Sequence, residues 1–257
     1  MSELSRQRVR VRVLAFVCVG FAGLGPLAQT AAAQTIDEIV ALHAAARGSA
    51  EQWRAVRTLR MTGRALGGPG REALVTREIK RPDRIRTEFT FQGITGVFAF
   101  DGKRGWQVSP LTGVLEPQLM EAGDAMVAMQ QVDIEGALVS ARKQRATLAL
   151  IGHETVAGRD VLRIRVTPTT GPQQEHYLDA GTFLILRTDA TRQVGGRSVV
   201  VETTFGDHRN VGGLALPHAI EMGARNRPER VRIIVESIEV NPPIDDERFQ
   251  MPAGAKR

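Results

Sequence analysis

The chain has 257 residues, a formal net charge of +6 and a single cysteine, Cys18. This length suits one large domain with a substantial buried core, and no second domain is required. One cysteine excludes disulfide cross-links within the chain and zinc sites built from thiolates, so packing must stabilise the fold. Acidic residues interleave with the basic ones along the chain, which indicates a charged, solvated surface and argues against nucleic acid as a partner.

The first 33 residues have the three parts of a secretory signal peptide. Arginines at positions 6, 8, 10 and 12 precede an apolar run over residues 13–27, and small residues follow at Ala31 and Ala33. We expect cleavage near Ala33, which leaves residues 34–257 as one mature domain in the periplasm. A membrane anchor is the alternative, but glycine and proline interrupt the apolar run, which is shorter than the roughly 20 residues of a spanning helix.

The mature sequence opens with a helical pattern. Apolar residues recur at helical spacing from Ile36 to Ala46, and the pattern continues beyond Gly48 to Trp53. This predicts one interrupted N-terminal helix over residues 35–55.

From residue 59 the hydrophobic period changes to two. Leu59 and Met61 alternate with Arg60 and Thr62, and similar segments recur over residues 72–109 and 147–240, separated by turn signals. The alternation predicts antiparallel strands, joined by short connections, with one buried and one wet face.

The stretch from Glu116 to Lys143 breaks this rhythm. Apolar residues recur through it at helical spacing: Leu119, Ala122, Met126, Met129, Ile134, Ala137, Leu138 and Ala141. The pattern predicts two short helices inserted between strands. The methionines in this stretch suit a surface that accepts varied apolar ligands, with ordinary core packing as the alternative.

A sheet of about eleven twisted antiparallel strands curls, because strand twist accumulates and open edges are a hazard. We therefore expect a β-dominated α+β fold, an incomplete or closed barrel. The N-terminal helix and the helical insertion are available to cover its open side.

No catalytic constellation is found in the sequence. The histidines show no metal-ligand spacing, and neither a Gly-x-Ser-x-Gly motif nor a phosphate-binding loop occurs. The scattered carboxylates are best interpreted as solvated strand faces and turns. The sequence thus predicts no enzyme, no metal site and no cofactor.

Several segments resemble periplasmic lipoprotein carriers of the LolA type. In the first half they are residues 79–86 (IKRPDRIR), residues 100–106 (FDGKRGW) and Pro110. In the later half, residues 177–182, 211–217 and 241–249 resemble the broader LolA-like superfamily. The resemblance covers nearly the whole mature chain.

The resemblance implies an incomplete, half-open barrel whose concave apolar face, closed by a helical lid, carries acyl chains of lipoproteins or another lipid towards the outer membrane. The cavity residues would be Leu59, Met61, Phe89, Phe91, Phe98, Trp106, Leu162 and Ile164. The lid residues would be Leu119, Met120, Met126, Met129, Ile134 and Leu138. Arg81 would latch the lid through hydrogen bonds to the 116–143 insertion.

The implied partners are the acyl chains, an inner-membrane donor and an outer-membrane acceptor, with the protein itself a monomer. The alternative function is an envelope-stress sensor or scaffold that uses the same half-barrel to bind a protein, as regulators of anti-sigma factors do by resemblance. A cavity with extractable lipid favours the carrier, whereas a barrel filled with side chains and a stable protein partner favour the alternative.

Overall fold

The computed structural model describes residues 34–194 and 197–252; the predicted signal peptide lies outside these residues. The helices are α1 (Ile36–Arg47), α2 (Ala50–Ala55), α3 (Ala122–Gln131) and α4 (Ala137–Ser140). The strands of the first half are β1 (Thr58–Leu66), β2 (Glu72–Lys80), β3 (Arg84–Phe91), β4 (Ile94–Phe100), β5 (Gly105–Ser109) and β6 (Val114–Leu119). Those of the second half are β7 (Thr147–Val156), β8 (Arg159–Thr167), β9 (Gln174–Asp179), β10 (Ile185–Val194), β11 (Arg197–Val211), β12 (Leu214–Ala224) and β13 (Val231–Val240). Short 3₁₀ turns occur at Pro110–Thr112 and Asp246–Phe249.

The N-terminal helix is interrupted, as the sequence predicts. Both α1 and α2 begin with a capping box, formed by Thr35 with Glu38 and by Ser49 with Gln52. Gly48 lies between the two helices with a φ of +128°, a conformation that favours glycine. The second capping box starts a new helix where the first one ends.

The strands form one antiparallel sheet in the order β6-β5-β4-β3-β2-β1-β13-β12-β11-β10-β9-β8-β7. Two meanders, β1 to β6 and β7 to β13, join where β1 pairs with β13. The sheet is open, with β6 and β7 as its edges. The β-dominated, incomplete barrel predicted from the sequence is therefore confirmed, with 13 strands in the described residues where the sequence pattern indicated about eleven.

Strand β6 replaces the beginning of the predicted helical insertion. The helical pattern expected from Glu116 is wrong up to Leu119, because these residues pair with β5. Pro117 explains the difference, since proline disrupts a helix interior but is tolerated in an edge strand. The rest of the insertion forms α3 and α4.

We call the face of the sheet that carries Leu59, Ile85 and Phe100 the inner face. These side chains are buried in one cluster with Trp53 of α2 and Ile134 of the insertion. The helical segments therefore cover the inner face with apolar side chains.

A second cluster extends the inner face over β8 and β9. Leu162, Ile164 and Leu178 pack there with Ile39 of α1 and Leu138 of α4. The strand register from β8 through β12 places this cluster on the same face as the first.

Trp106 lies on the outer face, which corrects its assignment to the cavity. It pairs with Ala99 and is buried with it and Val97, one residue out of phase with the inward-facing Phe98. Its Nε1–H donates a 2.7 Å hydrogen bond to the carbonyl oxygen of Phe249. The C-terminal segment thus covers Trp106 from the side opposite the helices.

Candidate functional site

The insertion between β6 and β7 is anchored at its centre. Ile134 is buried in the cluster of Leu59 and Phe100, and Leu138 is buried in that of Leu162. Ile134, within the turn that joins α3 to α4, and Leu138, in α4, thus fix residues 132–140 to the inner face.

Asp133 holds this turn in shape. Its Oδ1 accepts hydrogen bonds from the N–H groups of Glu135 (3.2 Å) and Gly136 (3.1 Å) and from the hydroxyl of Ser140 (2.9 Å). A short acidic side chain that bonds to following N–H groups favours a turn that leads into a helix. The turn is therefore held by its own polar contacts as well as by Ile134.

Helix α3 is held more loosely. It lies over β3, β4 and β5, yet within Ala122–Gln131, every residue of which is described, no side chain is fully buried. Met129 remains 46% exposed. Segments with few buried apolar contacts open locally at low cost in free energy. We therefore expect α3 to separate from the sheet before the turn does.

A groove of about 870 Å³ lies between α3 and strands β10 and β11. This volume falls within the roughly 300–1,000 Å³ of sites that hold small molecules. Met126 and Val127 of α3 and Val201 of β11 provide apolar surface, and Gln130 and Arg192 provide polar groups. The other lining residues are Glu121, Gly123, Asp124, Pro172, Thr191 and Gln193.

Arginine side chains from separate elements bond to residues 130–135, which we call the lid end. They are Arg47 of α1, Arg77 of β2, Arg81 after β2 and Arg192 of β10. The last carbonyl groups of a helix lack partners within it and carry partial negative charge, so cations are favoured there. Arg77 and Arg192 bond to the last two residues of α3, and Arg47 and Arg81 bond to the turn that follows.

Arg81 joins the lid end to α2. Its Nε donates to the carbonyl oxygen of Val56 (2.9 Å), and its Nη2 donates to that of Trp53 (3.2 Å) and to Oε1 of Glu135 (2.9 Å). The predicted latch residue therefore contacts the insertion. Whether these bonds control opening stays a prediction.

Arg47 contacts the same turn from α1. It donates to the carbonyl oxygens of Ile134 (3.2 Å) and Glu135 and stacks over the ring of Trp53 at 4.3 Å. Burial lowers the pKa of Arg47 to about 10, an effect that the carboxylates of Asp133 and Glu135 oppose. The side chain is thus a cation at neutral pH.

Three histidines are buried in the described residues, His43, His176 and His218, and the first two have a strongly lowered pKa. Nδ1 of His43 lies 2.7 Å from the carbonyl oxygen of Phe183, to which it donates when it carries the proton. His176 lies on the inner face, opposite Ile164 in the sheet, and both of its ring nitrogens are buried without a partner among the described residues. Burial lowers the pKa of His43 and that of His176 to about 4, so both are neutral at pH 7.

The other predicted cavity residues face inward, but they are divided between two environments. The inward-facing set is Leu59, Met61, Phe89, Phe91, Phe98, Leu162 and Ile164. Leu59, Leu162 and Ile164 are buried in the two clusters. Phe89 and Phe98 pack edge to face at 6.4 Å, on strands that α3 covers. None of the set lines the groove beside α3.

The predicted lid residues are also divided. Ile134 and Leu138 are buried, and Met126 lines the groove, whereas Met129 is half-exposed. Met120 lies close to Gly105, where an added Cβ would come within 2.8 Å of its sulfur.

Leu119 is not part of the lid, which corrects its assignment. It belongs to β6 and pairs with Trp106, so it shares the outer face.

The structure brings together three arginines that the sequence patterns did not single out, Arg47, Arg77 and Arg192. Their signal was weak, because arginines at alternate strand positions usually face water.

The described residues show neither a metal centre nor a membrane-spanning helix. No group of three His, Cys, Asp or Glu side chains among them could hold a metal ion. None of the helices in the described ranges is long and apolar enough to cross a bilayer.

An open antiparallel sheet with a helical cover over its inner face defines a LolA-like fold, and solved structures share it. A LolA superfamily protein from Nitrosomonas europaea aligns with a TM-score of 0.56 and 14% identity over 85% of this chain and 98% of its own. A domain named for outer membrane lipoprotein sorting, from Vibrio parahaemolyticus, aligns with a TM-score of 0.58 and 13% identity over 84% and 97%. A DUF1329 family protein from Desulfovibrio piger aligns with a TM-score of 0.50 and 12% identity over 85% and 98%.

No protein-family model and no curated protein sequence matches the chain. The resemblance to the LolA-like superfamily that the sequence motifs indicated is confirmed in the fold.

Proposed function

We propose that this protein is a periplasmic carrier that binds the acyl chains of a lipid or a lipoprotein on the inner face of its half-barrel. The observation that supports this most is the groove beside α3, which lies along the least firmly packed part of the insertion. If α3 moves away from the sheet, the groove extends towards Phe89 and Phe98. The ligand site then has an apolar floor and an adjustable, methionine-bearing cover.

The energetics suit reversible transfer. Burial of a methylene group contributes roughly 0.8 kcal/mol relative to water, but a membrane offers an acyl chain nearly the same burial. A carrier therefore needs a dry apolar site whose affinity for the acyl chain is close to that of the membrane, and it needs a means of opening. The apolar part of the groove, formed by Met126, Val127 and Val201, and the loosely held α3 support these two requirements.

The remaining parts of the proposal rest on the predicted signal peptide and on the resemblance to carriers of the LolA type. A cleaved export signal would place the mature domain, residues 34–257, in the periplasm as a monomer. There it would receive cargo from an inner-membrane donor, deliver it to an outer-membrane acceptor, and act as a binding protein without catalysis.

We further propose that Arg81 latches the lid end. Replacement by leucine removes its bonds to Glu135, Trp53 and Val56, and charged hydrogen bonds contribute about 1.5–3 kcal/mol each. We expect Arg81→Leu to increase amide hydrogen exchange in residues 122–136 and to speed ligand release, while β8 and β9 stay protected. Arg71→Leu, at an exposed position in the turn before β2, is the control. Equal exchange in both variants and the wild type would exclude the latch.

The binding site is tested by filling the groove. We expect the purified mature domain to bind a fluorescent fatty-acid analogue, and Val201→Trp to weaken binding at least tenfold, because the indole occupies space between β11 and α3. Val231→Trp makes the same change at a partly exposed site outside the groove and should bind normally. Wild-type protein that binds no analogue, or two variants that bind it equally well, would contradict the groove as the acyl site.

Partner binding is the second candidate, and edge strand β6 favours it. Leu111 and Leu115, beside and within this strand, are 64% and 73% exposed. An edge strand offers free backbone groups to an extended peptide, and exposed apolar residues add contact area. A stable protein complex that Leu115→Asp abolishes, in the absence of any bound lipid, would favour this function over the carrier.

A further inference from the structure

Arg77 and Arg192 differ from the other partly buried arginines of the described residues. Most of those form ion pairs, as Arg163 does with Glu154 and Glu175. Neither Arg77 nor Arg192 has a carboxylate within 4.0 Å in the part of the chain that the structure describes. A partly buried charge without a counter-charge is unfavourable unless a ligand or a dipole compensates for it.

The two side chains reach consecutive residues of the lid end from different strands, and of the two only Arg192 lines the groove. Nη2 of Arg77 donates to the carbonyl oxygen of Gln131 at 3.2 Å, and Nη1 of Arg192 donates to Oε1 of Gln130 at 3.3 Å. Nε of Arg77 is buried and has no partner among the described residues. Two guanidinium groups with spare donors thus approach consecutive residues.

Both hydrogen-bond acceptors here are neutral, and one of them has a second donor. Oε1 of Gln130 also faces Nε2 of Gln174 at 3.4 Å. Burial lowers the pKa of Arg77 to about 10 and also lowers the pKa of Arg192. No acidic neighbour in the described ranges opposes this effect at either residue. Both remain cations at neutral pH. The partial charge of the helix end is the compensation available within the described residues.

The charged residues that line the groove have opposite signs at its two ends along α3. Arg192 lines it beside Gln130 in the last turn of the helix, whereas Glu121 and Asp124 line it at the first turn. Gln130 follows Asp124 by six positions in the helix, a rise of about 9 Å at 1.5 Å per residue. Met126, Val127 and the facing Val201 supply apolar surface between these ends.

We propose that Arg192, assisted by Arg77, binds the acidic head of an amphiphile whose chain occupies the groove. This inference rests on the proposed function, and it adds the chemical class of the ligand, a carboxylate or phosphate head on an acyl chain. Guanidinium groups suit both heads, because their forked donors match the oxygens of either anion.

The test compares ligands that share one chain length. Dodecanoate and dodecyl phosphate carry an acidic head, methyl dodecanoate is neutral, and dodecylamine is basic. We expect the mature domain to bind either acid at least roughly tenfold more tightly than the ester, as for one charged hydrogen bond. Inorganic phosphate, which has no chain, should not compete at millimolar concentration.

Substitutions then assign the preference to the arginines. Arg192→Gln should weaken the binding of the acids at least about tenfold more than that of the ester and so remove the preference, and Arg192→Lys should restore part of it. Arg77→Gln should reduce the preference, whereas Arg227→Gln, at an exposed turn after β12, should have no effect. Thermal unfolding midpoints close to that of the wild type show that the variants are folded.

The results separate the two proposals. Ester and acids that bind equally well to the wild type would overturn the acidic-head site and leave the carrier in place. Any of three other results would also overturn it. Dodecylamine could bind more tightly than the acids, or inorganic phosphate could compete although it has no chain. Arg192→Gln could also lower the affinities for the acids and the ester equally. If no amphiphile binds at all, the proposed function fails and the inference fails with it.

Discussion

We expect Gly63→Ala to lower the free energy of unfolding by about 3 kcal/mol or more, since overpacking against rigid atoms is among the costlier single changes. Gly63 lies in β1 at the irregularity in its pairing with β13. An added Cβ would overlap the carbonyl oxygen of Ile234 and lie 3.0 Å from both its carbonyl carbon and Cα of Val235. These are backbone atoms in the pairing that joins the two meanders, so they cannot move aside cheaply.

Urea unfolding of Gly63→Ala and of Gly206→Ala measures this effect. Gly206 lies in β11, and a Cβ there would meet no atom closer than Cβ of Ala219 at 3.9 Å. The control should therefore stay within about 1 kcal/mol of the wild type. Similar midpoints for both variants would show that β13 tolerates a side chain at position 63, against the strand register described above.

We expect the protein to lose stability as the pH falls from about 6.5 to about 4, because His43 and His176 have a folded pKa near 4 against 6.5 for a free histidine. In this range the unfolded chain binds protons that the folded protein does not, so acid favours unfolding. Each shift corresponds to up to about 3 kcal/mol at 1.36 kcal/mol per pKa unit. Burial also lowers the pKa of His208, which adds in the same direction.

His176→Leu isolates one contribution. Since the ring of His176 has no hydrogen-bond partner among the described residues, leucine removes the titrating group without leaving a polar neighbour unsatisfied. The difference in unfolding free energy between pH 7 and pH 4.5 should be smaller in this variant than in the wild type. A wild-type stability that is flat over this range would contradict the burial of both histidines. The carboxylates with lowered pKa, such as Asp179 and Asp246, act below this window, because their ordinary pKa is 3.8.

The elements of the fold were predicted correctly where the hydrophobic periodicity and the neighbouring turn or capping residues indicated the same structure. The alternation in β1 and β3 and the helical spacing before Trp53 gave the right elements. The error at β6 arose because Leu119 to Met129 also fit a helical stripe, although Pro117 disfavours a helix at that point. Trp106 was assigned to the wrong face because its strand has five residues and little alternation.

The candidate site was less accessible to sequence reasoning. Arg81 stood out because of the Arg-Pro motif, but nothing in the pattern of β2 or β10 distinguishes Arg77 or Arg192 from arginines that face water. Their position depends on which face of a strand looks inward and on where the C-terminal end of α3 lies. His176 is a similar case, since its burial follows from pairing with β8 and β10.

The most direct test of the carrier function is whether the protein isolated from the periplasm has a bound lipid, which adds to the mass of the intact protein. We expect native mass spectrometry of the mature domain, released gently from the periplasm, to show protein with one bound acyl lipid that organic extraction removes, and Val201→Trp to be recovered without it. A wild-type protein recovered free of lipid, or one bound only to another protein, would contradict the account.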